Sequence, residues 1–165
     1  MNLIKTVSIK IIGFDIDGTL TDGSIYIGER GEALKVFNVR DGYGIKAAQK
    51  AGFEIFFITG RKASEATKQR MHDLKIDLSF LKDAVTDKVT CAEEILKERN
   101  LTFDNFAFMG DDLPDLHLLK RSGYSGCPAD AHSQILKSVS FVSAYSGGKG
   151  AAREFVETIL LMNGN

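Results

Sequence analysis

Cysteine, proline and tryptophan are scarce in this chain, whose 165 residues include two cysteines, two prolines and no tryptophan. Cys91 and Cys127 supply neither a disulfide framework nor the spacing of a zinc site, and small buried side chains are their simplest interpretation. So few cysteines are typical of a reducing compartment, and we therefore expect a cytoplasmic protein.

Long hydrophobic runs and an excess of charge are also missing. No apolar run approaches the roughly 18 residues of a membrane-spanning helix, and the stretch 1–10 lacks the apolar core and cleavage site of a signal peptide. The formal net charge is −1, which argues against broad binding to nucleic acid or to an anionic membrane. We expect neither a nucleic-acid partner nor a membrane partner.

What the chain does contain is a regular alternation of short apolar runs and amphipathic segments. Predicted strands lie at 8–15, 54–59, 105–110, 124–127 and 139–143, with a weaker one at 77–81. Most are apolar along their whole length, as in a parallel sheet that is buried on both faces. Predicted helices lie between them, at 41–52, 62–75, 87–100, 112–123 and 149–162. We expect Asp41 to cap the first of these helices and Gly52 to end it. This alternation predicts an α/β fold with a doubly wound, mostly parallel sheet, in one domain over 1–165.

The segment 24–38 interrupts the alternation. Its sequence, SIYIGERGEALKVFN, contains two short strand-like stretches on either side of a polar turn at Gly31. This pattern predicts a β-hairpin inserted directly after the first strand and its aspartates.

Polar residues follow three of the predicted strands where the strands end. Asp15 and Asp17 close the first strand, and Asp111 and Asp112 follow the strand at 105–110. Ligands bind beyond the carboxyl ends of the strands in open α/β sheets, so we expect these side chains on one rim. Carboxylates without a cation repel one another, and a hard divalent ion, most simply Mg²⁺, resolves the repulsion. The same rim has four candidates for binding a phosphoryl group: Thr59, Gly60, Arg61 and Lys88.

Each of these motifs alone is weak evidence for a metal or phosphate site, because acidic turns and helix starts are common. Their order along the chain, however, resembles the haloacid dehalogenase-like phosphatases. The stretches FNVRDGYG (37–44) and TGRK (59–62) are similar to the small branch without a cap domain that contains 3-deoxy-D-manno-octulosonate 8-phosphate phosphatase.

The resemblance implies a mechanism. Asp15 is expected to be the nucleophile that forms an aspartyl-phosphate, and Asp17 the general acid and then the base. Asp15, Asp111 and the backbone carbonyl of Asp17 are expected to hold Mg²⁺, with Asp112 acting through water or as an orienting group. Thr59 and Lys88 are expected to bind the phosphate oxygens. The resemblance also implies a homotetramer, in which the hairpin of a neighbouring subunit covers the site.

The substrate expected from this branch is an eight-carbon sugar acid phosphate of bacterial lipopolysaccharide synthesis. Arg61, Arg70 and Arg40 are candidates for pairing with its carboxylate. The sequence is also compatible with other positions for two of them. Arg70 could lie on an exposed helix face, and Arg40 could pack beside Asp41 at a helix start. Lys149, before the last helix, is a further candidate for binding an anion.

Three other functions remain open at this stage. One is a phosphatase for a nine-carbon 2-keto-3-deoxy sugar acid 9-phosphate. Another is a non-catalytic regulatory or assembly domain of a sugar-nucleotide synthetase, which the intact Asp15 and Asp17 disfavour. The third is a phosphoryl-accepting receiver domain, which is disfavoured because the middle strand ends in Thr59 rather than in an aspartate.

Overall fold

A six-stranded parallel sheet forms the centre of the protein in the computed structural model, which describes residues 8–164. Its strands are β1 (Ile11–Phe14), β4 (Glu54–Ile58), β5 (Leu81–Lys82), β6 (Phe106–Met109), β7 (Tyr124–Cys127) and β8 (Phe141–Val142). The strand order is β5-β4-β1-β6-β7-β8, so the chain first builds outward from β1 on one side and then on the other. The fold class predicted from the sequence is confirmed.

Helices cover both faces of this sheet. Successive side chains of a strand point to opposite faces, and in β1 Ile12 and Phe14 therefore enter one apolar cluster while Ile11 enters the other. The helices are α1 (Val39–Lys50), α2 (Glu65–Asp73), α3 (Lys88–Glu98), α4 (Leu116–Arg121), α5 (Ser133–Leu136) and α6 (Ala151–Met162). The first cluster is completed by α1, α2 and α6, and the second by α3, α4 and α5.

Some boundaries differ from those predicted. The weak strand at 77–81 is wrong over most of its length, because Leu78–Phe80 forms a 3₁₀ turn and only the next two residues pair with β4. The helix predicted from residue 112 starts with a 3₁₀ turn, Leu113–Asp115, and the short α5 was not predicted. Residues 1–7, part of the stretch without signal-peptide features, lie outside the described residues.

The start of α1 is another correction. Asn38, rather than Asp41, caps this helix by accepting a hydrogen bond from the backbone N–H of Arg40. Asp41 is buried inside the first turn, and its carboxylate accepts hydrogen bonds from the backbone N–H groups of Gly150 and Arg153 at 3.2 and 3.1 Å. Asp41 therefore caps α6, a helix about 110 residues away along the chain.

The hairpin predicted at 24–38 is present. Its antiparallel strands are β2 (Tyr26–Gly28) and β3 (Gly31–Leu34). Gly31 has a φ of 102°, in the left-handed region that favours glycine. Several apolar side chains of the hairpin are exposed: Ile25, Tyr26, Ile27, Leu34 and Val36.

None of the helices in the described range has the length and apolar character needed to cross a membrane.

Candidate active site

Three carboxylates meet at the carboxyl edge of the sheet, between β1 and β6. Asp15 directly follows β1, Asp111 lies two residues after β6, and Asp115 ends the 3₁₀ turn that leads into α4. Each offers an oxygen atom, and these atoms all lie within 4.8 Å of one another. We call Asp15, Asp111 and Asp115 the acidic cluster. It forms where the chain changes direction across the sheet, the usual position of a ligand site in such folds.

Lys88 supplies a positive charge to this cluster. It is the first residue of α3, and its Nζ lies 2.6 Å from Asp15 Oδ1 and 2.6 Å from Asp115 Oδ1. All three side chains are buried. Burial alone would lower the pKa of Lys88, but the two carboxylates outweigh burial and hold it above its ordinary value. Lys88 is thus a fixed cation at the site.

One lysine does not balance three carboxylates. Burial, and then the charge of Asp115, raise the pKa of Asp15 well above its ordinary value even though Lys88 opposes them. The same two causes raise the pKa of Asp111 to about 6. The cluster therefore carries negative charge that the protein leaves uncompensated, and its donors are all oxygen atoms. Both properties fit a hard divalent cation such as Mg²⁺.

The loop after β1 fixes one oxygen of Asp111. The buried hydroxyl of Thr19 donates a hydrogen bond of 2.9 Å to Asp111 Oδ1. Gly18 has a φ of 95°, and a Cβ atom there would overlap the carboxylate of Asp111. Only glycine permits this close approach, which brings the β1 loop against the loop after β6.

The carboxylate of Asp17 is not part of the acidic cluster and pairs with two cations instead. Its Oδ1 accepts a 2.6 Å hydrogen bond from Nζ of Lys35, which follows β3 of the hairpin. Its Oδ2 lies 3.7 Å from Nε of Arg61. Asp15 and Asp17 are two residues apart, yet they face different surroundings.

Thr59 and Gly60 lie on the same rim, directly after β4. Thr59 is buried, and its hydroxyl accepts a 3.2 Å hydrogen bond from the backbone N–H of Arg61. Gly60 is exposed. This turn places a threonine hydroxyl beside the end of β1, because β4 is the neighbour of β1 in the sheet.

Comparison with known proteins gives consistent matches. A family model of haloacid dehalogenase-like hydrolases matches residues 78–155. The 3-deoxy-D-manno-octulosonate 8-phosphate phosphatase of Escherichia coli K12 is 38% identical over 162 residues, which are 98% of this chain and 85% of that protein. The crystal structure of the Yersinia pestis 3-deoxy-D-manno-octulosonate 8-phosphate phosphatase is 36% identical, with a TM-score of 0.90 over 96% of this chain and 84% of that one.

A third similar protein is the Moraxella catarrhalis phosphatase of the same name, whose crystal structure contains a magnesium ion, a phosphate ion and a KDO molecule. It is 31% identical, with a TM-score of 0.90 over 98% of this chain and 91% of that one. The chain belongs to the haloacid dehalogenase-like phosphatases. Within them it falls in the group of the 3-deoxy-D-manno-octulosonate 8-phosphate phosphatases, as the sequence resemblance predicted.

Family membership makes the protein a phosphoric monoester hydrolase, and it excludes the receiver-domain interpretation. The fold of this phosphatase brings together Asp15, Asp111 and Lys88 from distant parts of the chain, as expected. The structure places Asp112 elsewhere: it is exposed, and its carboxylate accepts a hydrogen bond from the backbone N–H of Leu113.

Sequence reasoning missed Asp115. Besides Lys88, its carboxylate accepts hydrogen bonds from the backbone N–H groups of Asp111 and Asp112, at 3.0 and 3.2 Å. The available signal was the spacing in GDDLPD, which puts an acidic residue three positions after a helix-capping aspartate, as in a capping box. The prediction for this loop used only Asp111 and Asp112, and so it did not include Asp115.

The structure gives Arg70 and Arg40 other surroundings. Arg70 donates a 3.0 Å hydrogen bond to the carbonyl of Asn38 and lies over the ring of Phe37, with 5.8 Å to the ring centre. Arg40 is exposed in the first turn of α1, beside Tyr145. Among the contacts described, neither arginine pairs with the acidic cluster.

The start of α6 does not present a free anion site beside Lys149. Asp41 already accepts hydrogen bonds from two N–H groups there, at Gly150 and Arg153. The predicted anion-binding role of Lys149 depended on free N–H groups at this helix start, and Asp41 occupies two of them.

Proposed function

We propose that the protein hydrolyses 3-deoxy-D-manno-octulosonate 8-phosphate to the free sugar acid and phosphate, in a Mg²⁺-dependent reaction through an aspartyl-phosphate on Asp15. The observation that carries this proposal is the acidic cluster with Lys88 at the carboxyl ends of β1 and β6. The names of the similar phosphatases from Escherichia coli, Yersinia pestis and Moraxella catarrhalis support the choice of substrate.

Asp15 and Asp111 would hold Mg²⁺, together with the backbone carbonyl of Asp17. When bound, the ion would offset the charge of the carboxylates and of the phosphoryl group. Asp115 suits an orienting role, because Lys88 and two backbone N–H groups already occupy its oxygens. Asp112, exposed at the edge of the site, would act through water or as a further orienting group.

Asp15 is the nucleophile in this proposal. Its carboxylate attacks phosphorus and displaces the sugar alkoxide, which leaves the phosphoryl group on the aspartate. Lys88 holds one carboxylate oxygen at 2.6 Å and so fixes the orientation of the group that attacks. In this proposal Lys88, the hydroxyl of Thr59 and the backbone N–H of Gly60 bind the phosphate oxygens that are not shared with the sugar.

Asp17 is the general acid for the leaving alkoxide and then the base that activates water. This role requires a carboxylate that does not ligate the metal. The placement of Asp17 against Lys35 and Arg61 supports this requirement, because its carboxylate pairs with these cations and is not part of the acidic cluster.

The carboxylate of the sugar acid would pair with arginine. Arg61 is the best placed of the three candidates, because it alone has an ion-pair contact with Asp17. Arg70 and Arg40 stay candidates that the contacts described here favour less. A nine-carbon 2-keto-3-deoxy sugar acid 9-phosphate is the second candidate substrate, since a larger sugar acid presents the same two anionic groups.

A homotetramer is part of the proposal, with the hairpin of one subunit over the site of the next. The apolar side chains exposed on the hairpin support an interface there, because a protein of this size rarely leaves such a group uncovered. The few cysteines and the lipopolysaccharide intermediate support a cytoplasmic enzyme.

The test of the proposed function is phosphate release from the eight-carbon and nine-carbon sugar acid phosphates, with Mg²⁺ and with excess EDTA. We expect turnover of the eight-carbon substrate that EDTA abolishes. A tenfold or larger advantage in kcat/KM for the nine-carbon substrate would make the substrate assignment wrong. Full turnover in EDTA would contradict the metal dependence.

A further inference from the structure

One oxygen of Asp111 is held by the loop that follows β1. The hydroxyl of Thr19 is buried and donates a hydrogen bond of 2.9 Å to Asp111 Oδ1, across 92 positions of the chain. The backbone of Asp111 is fixed separately, because its carbonyl accepts a 2.8 Å hydrogen bond from the N–H of His132. With the backbone fixed, the hydroxyl of Thr19 determines the rotation of the carboxylate and so the position of its other oxygen. Hydrogen bonds of this kind orient the ligands of a metal ion.

Thr19 is held in turn by the loop before α6, residues 144–150. The N–H of Gly148 donates a 3.0 Å hydrogen bond to the carbonyl of Thr19. The two loops approach as closely as their backbones allow, because a Cβ atom at Gly147 would overlap the carbonyl of Gly18. In packing this tight, a shift of the loop before α6 moves the loop after β1 with it.

Asn38 ties the loop before α6 to the base of the hairpin. Its Nδ2 donates a 3.2 Å hydrogen bond to the carbonyl of Gly148, while its Oδ1 caps α1. Asn38 is the last residue of the segment 24–38, which contains β2 and β3. Three hydrogen bonds therefore run without a break from Asn38 to the carboxylate of Asp111, through Gly148 and then Thr19.

We propose that Thr19 and Asn38 are positioning residues for the binding of Mg²⁺. Thr19 orients the ligand Asp111, and Asn38 acts on the same ligand through Gly148 and Thr19. The inference rests on the proposed function, because it takes Asp111 as a ligand of the metal. It adds a link between the hairpin and the metal, since the affinity for the ion then depends on where the base of the hairpin lies.

The experiment measures the affinity of the substrate-free protein for Mg²⁺ by isothermal titration calorimetry. The variants are Thr19→Val, Thr19→Ser, Asn38→Ser and the double variant of Thr19→Val with Asn38→Ser. Valine keeps the shape of threonine without the hydroxyl. Serine at position 38 can still cap α1 but is too short to reach the carbonyl of Gly148. Thr67→Val is the matched control, because Thr67 is also buried and its hydroxyl contacts Ser64 at the start of α2.

We expect Thr19→Val to weaken Mg²⁺ binding about tenfold, the usual effect of removing a group that orients a metal ligand. Thr19→Ser keeps a hydroxyl and should restore most of the affinity. Asn38→Ser should weaken binding about threefold. In the double variant it should add little to the effect of Thr19→Val, because the hydroxyl that transmits its effect to Asp111 is gone. The Thr67→Val control should keep the wild-type affinity.

Other results overturn the inference. If Thr19→Ser binds Mg²⁺ as weakly as Thr19→Val, the methyl group of Thr19 packs the loop and the hydroxyl does not orient Asp111. If Asn38→Ser weakens binding equally with and without the Thr19 hydroxyl, the two residues are not linked. If every variant binds Mg²⁺ as the wild type does, these hydrogen bonds do not position the ligand, and the proposed function stands. If the wild-type protein binds no Mg²⁺, the proposed function itself fails.

Discussion

Asp15 and Asp17 show how two identical side chains, two residues apart, can lie in different surroundings. One lies in the acidic cluster, with Lys88 as its partner, and the other contacts Lys35 of the hairpin. The sequence predicted that both residues follow the end of an apolar strand, and they follow β1. It did not predict Lys35 as the partner of Asp17. That contact depends on how the hairpin folds back onto the site, and no local sequence pattern encodes it.

We expect Asp15→Asn to abolish turnover and to keep the fold. The amide is nearly isosteric with the carboxylate and cannot attack phosphorus. In the absence of Mg²⁺ the variant should be at least as stable as the wild type, because it removes one of three mutually repelling carboxylates whose burial raises the pKa of Asp15. Phosphate release and thermal unfolding in EDTA measure both effects. Turnover at the wild-type rate would exclude Asp15 as nucleophile.

Asp17→Asn should give a different defect. Attack by Asp15 does not require Asp17 when the leaving group needs no proton, as with p-nitrophenyl phosphate. Hydrolysis of the aspartyl-phosphate does require the base. We expect a burst of nitrophenol followed by slow turnover, and a phospho-enzyme visible by mass spectrometry under mildly acidic conditions. Steady turnover without a burst would contradict this role.

The affinity for Mg²⁺ should depend on pH through Asp111. Burial and the charge of Asp115 raise its pKa to about 6 in the metal-free protein, so below that pH a proton competes with the cation. A carboxyl group with a raised pKa also makes the metal-free protein less stable as pH rises through that value. We therefore expect the increase in melting temperature caused by Mg²⁺ to be larger at pH 7.5 than at pH 5.5. A pH-independent increase would rule out Asp111 as a ligand.

At the scale of elements, the contact between α1 and α6 matters most for the site. Asp41 in α1 accepts hydrogen bonds from the N–H groups of Gly150 and Arg153. The loop before α6 also donates from Gly148 N–H to the Thr19 carbonyl, at 3.0 Å. Asp41 thereby supports the loop that carries Asp17 and Thr19. The sequence identified Asp41 as a cap but assigned it to its own helix, because capping across the tertiary structure leaves no local signature.

We expect Asp41→Ala to destabilise the protein by about 1–3 kcal/mol, since it leaves N–H groups at the start of α6 without acceptors in a buried place. Asp41→Asn keeps one acceptor oxygen and should cost less. Urea unfolding measures both. Asp77→Ala is the control, because Asp77 caps only an exposed 3₁₀ turn. If Asp41→Ala costs no more than the control, the cap across the two helices has no energetic importance.

For the molecule as a whole, much of the architecture was predictable because buried parallel strands are apolar along their length. The order of the strands was not, since β1 lies between β4 and β6 only after the chain changes direction. The position of the acidic cluster depends on that strand order, which puts the ends of β1 and β6 side by side. The sequence predicted that Asp15 and Asp111 lie on one rim. It did not predict that Asp115 joins them, because its place there depends on the hydrogen bonds that its carboxylate accepts from Lys88 and from the backbone N–H of Asp111.

The exposed apolar side chains of the hairpin lead to an expectation about assembly. Ile27 is 73% exposed, and Ile25, Tyr26 and Leu34 are also accessible. We expect sedimentation at micromolar concentration to give a homotetramer. Replacing Ile27 and Leu34 with serine should produce smaller species while the secondary structure, measured by circular dichroism, is retained. A wild-type monomer in this experiment would contradict the proposed assembly.

The central position of β1 allows the enzyme to be divided into two complementary fragments. A break after Ala84, in an exposed stretch between β5 and α3, leaves Asp15 and Asp17 in one fragment and Lys88, Asp111 and Asp115 in the other. Neither fragment can build the site, because β1 in the first must pair with β6 in the second. When two interacting proteins are fused to the fragments, their association should restore hydrolysis of p-nitrophenyl phosphate, and the chain would then serve as a split reporter of binding.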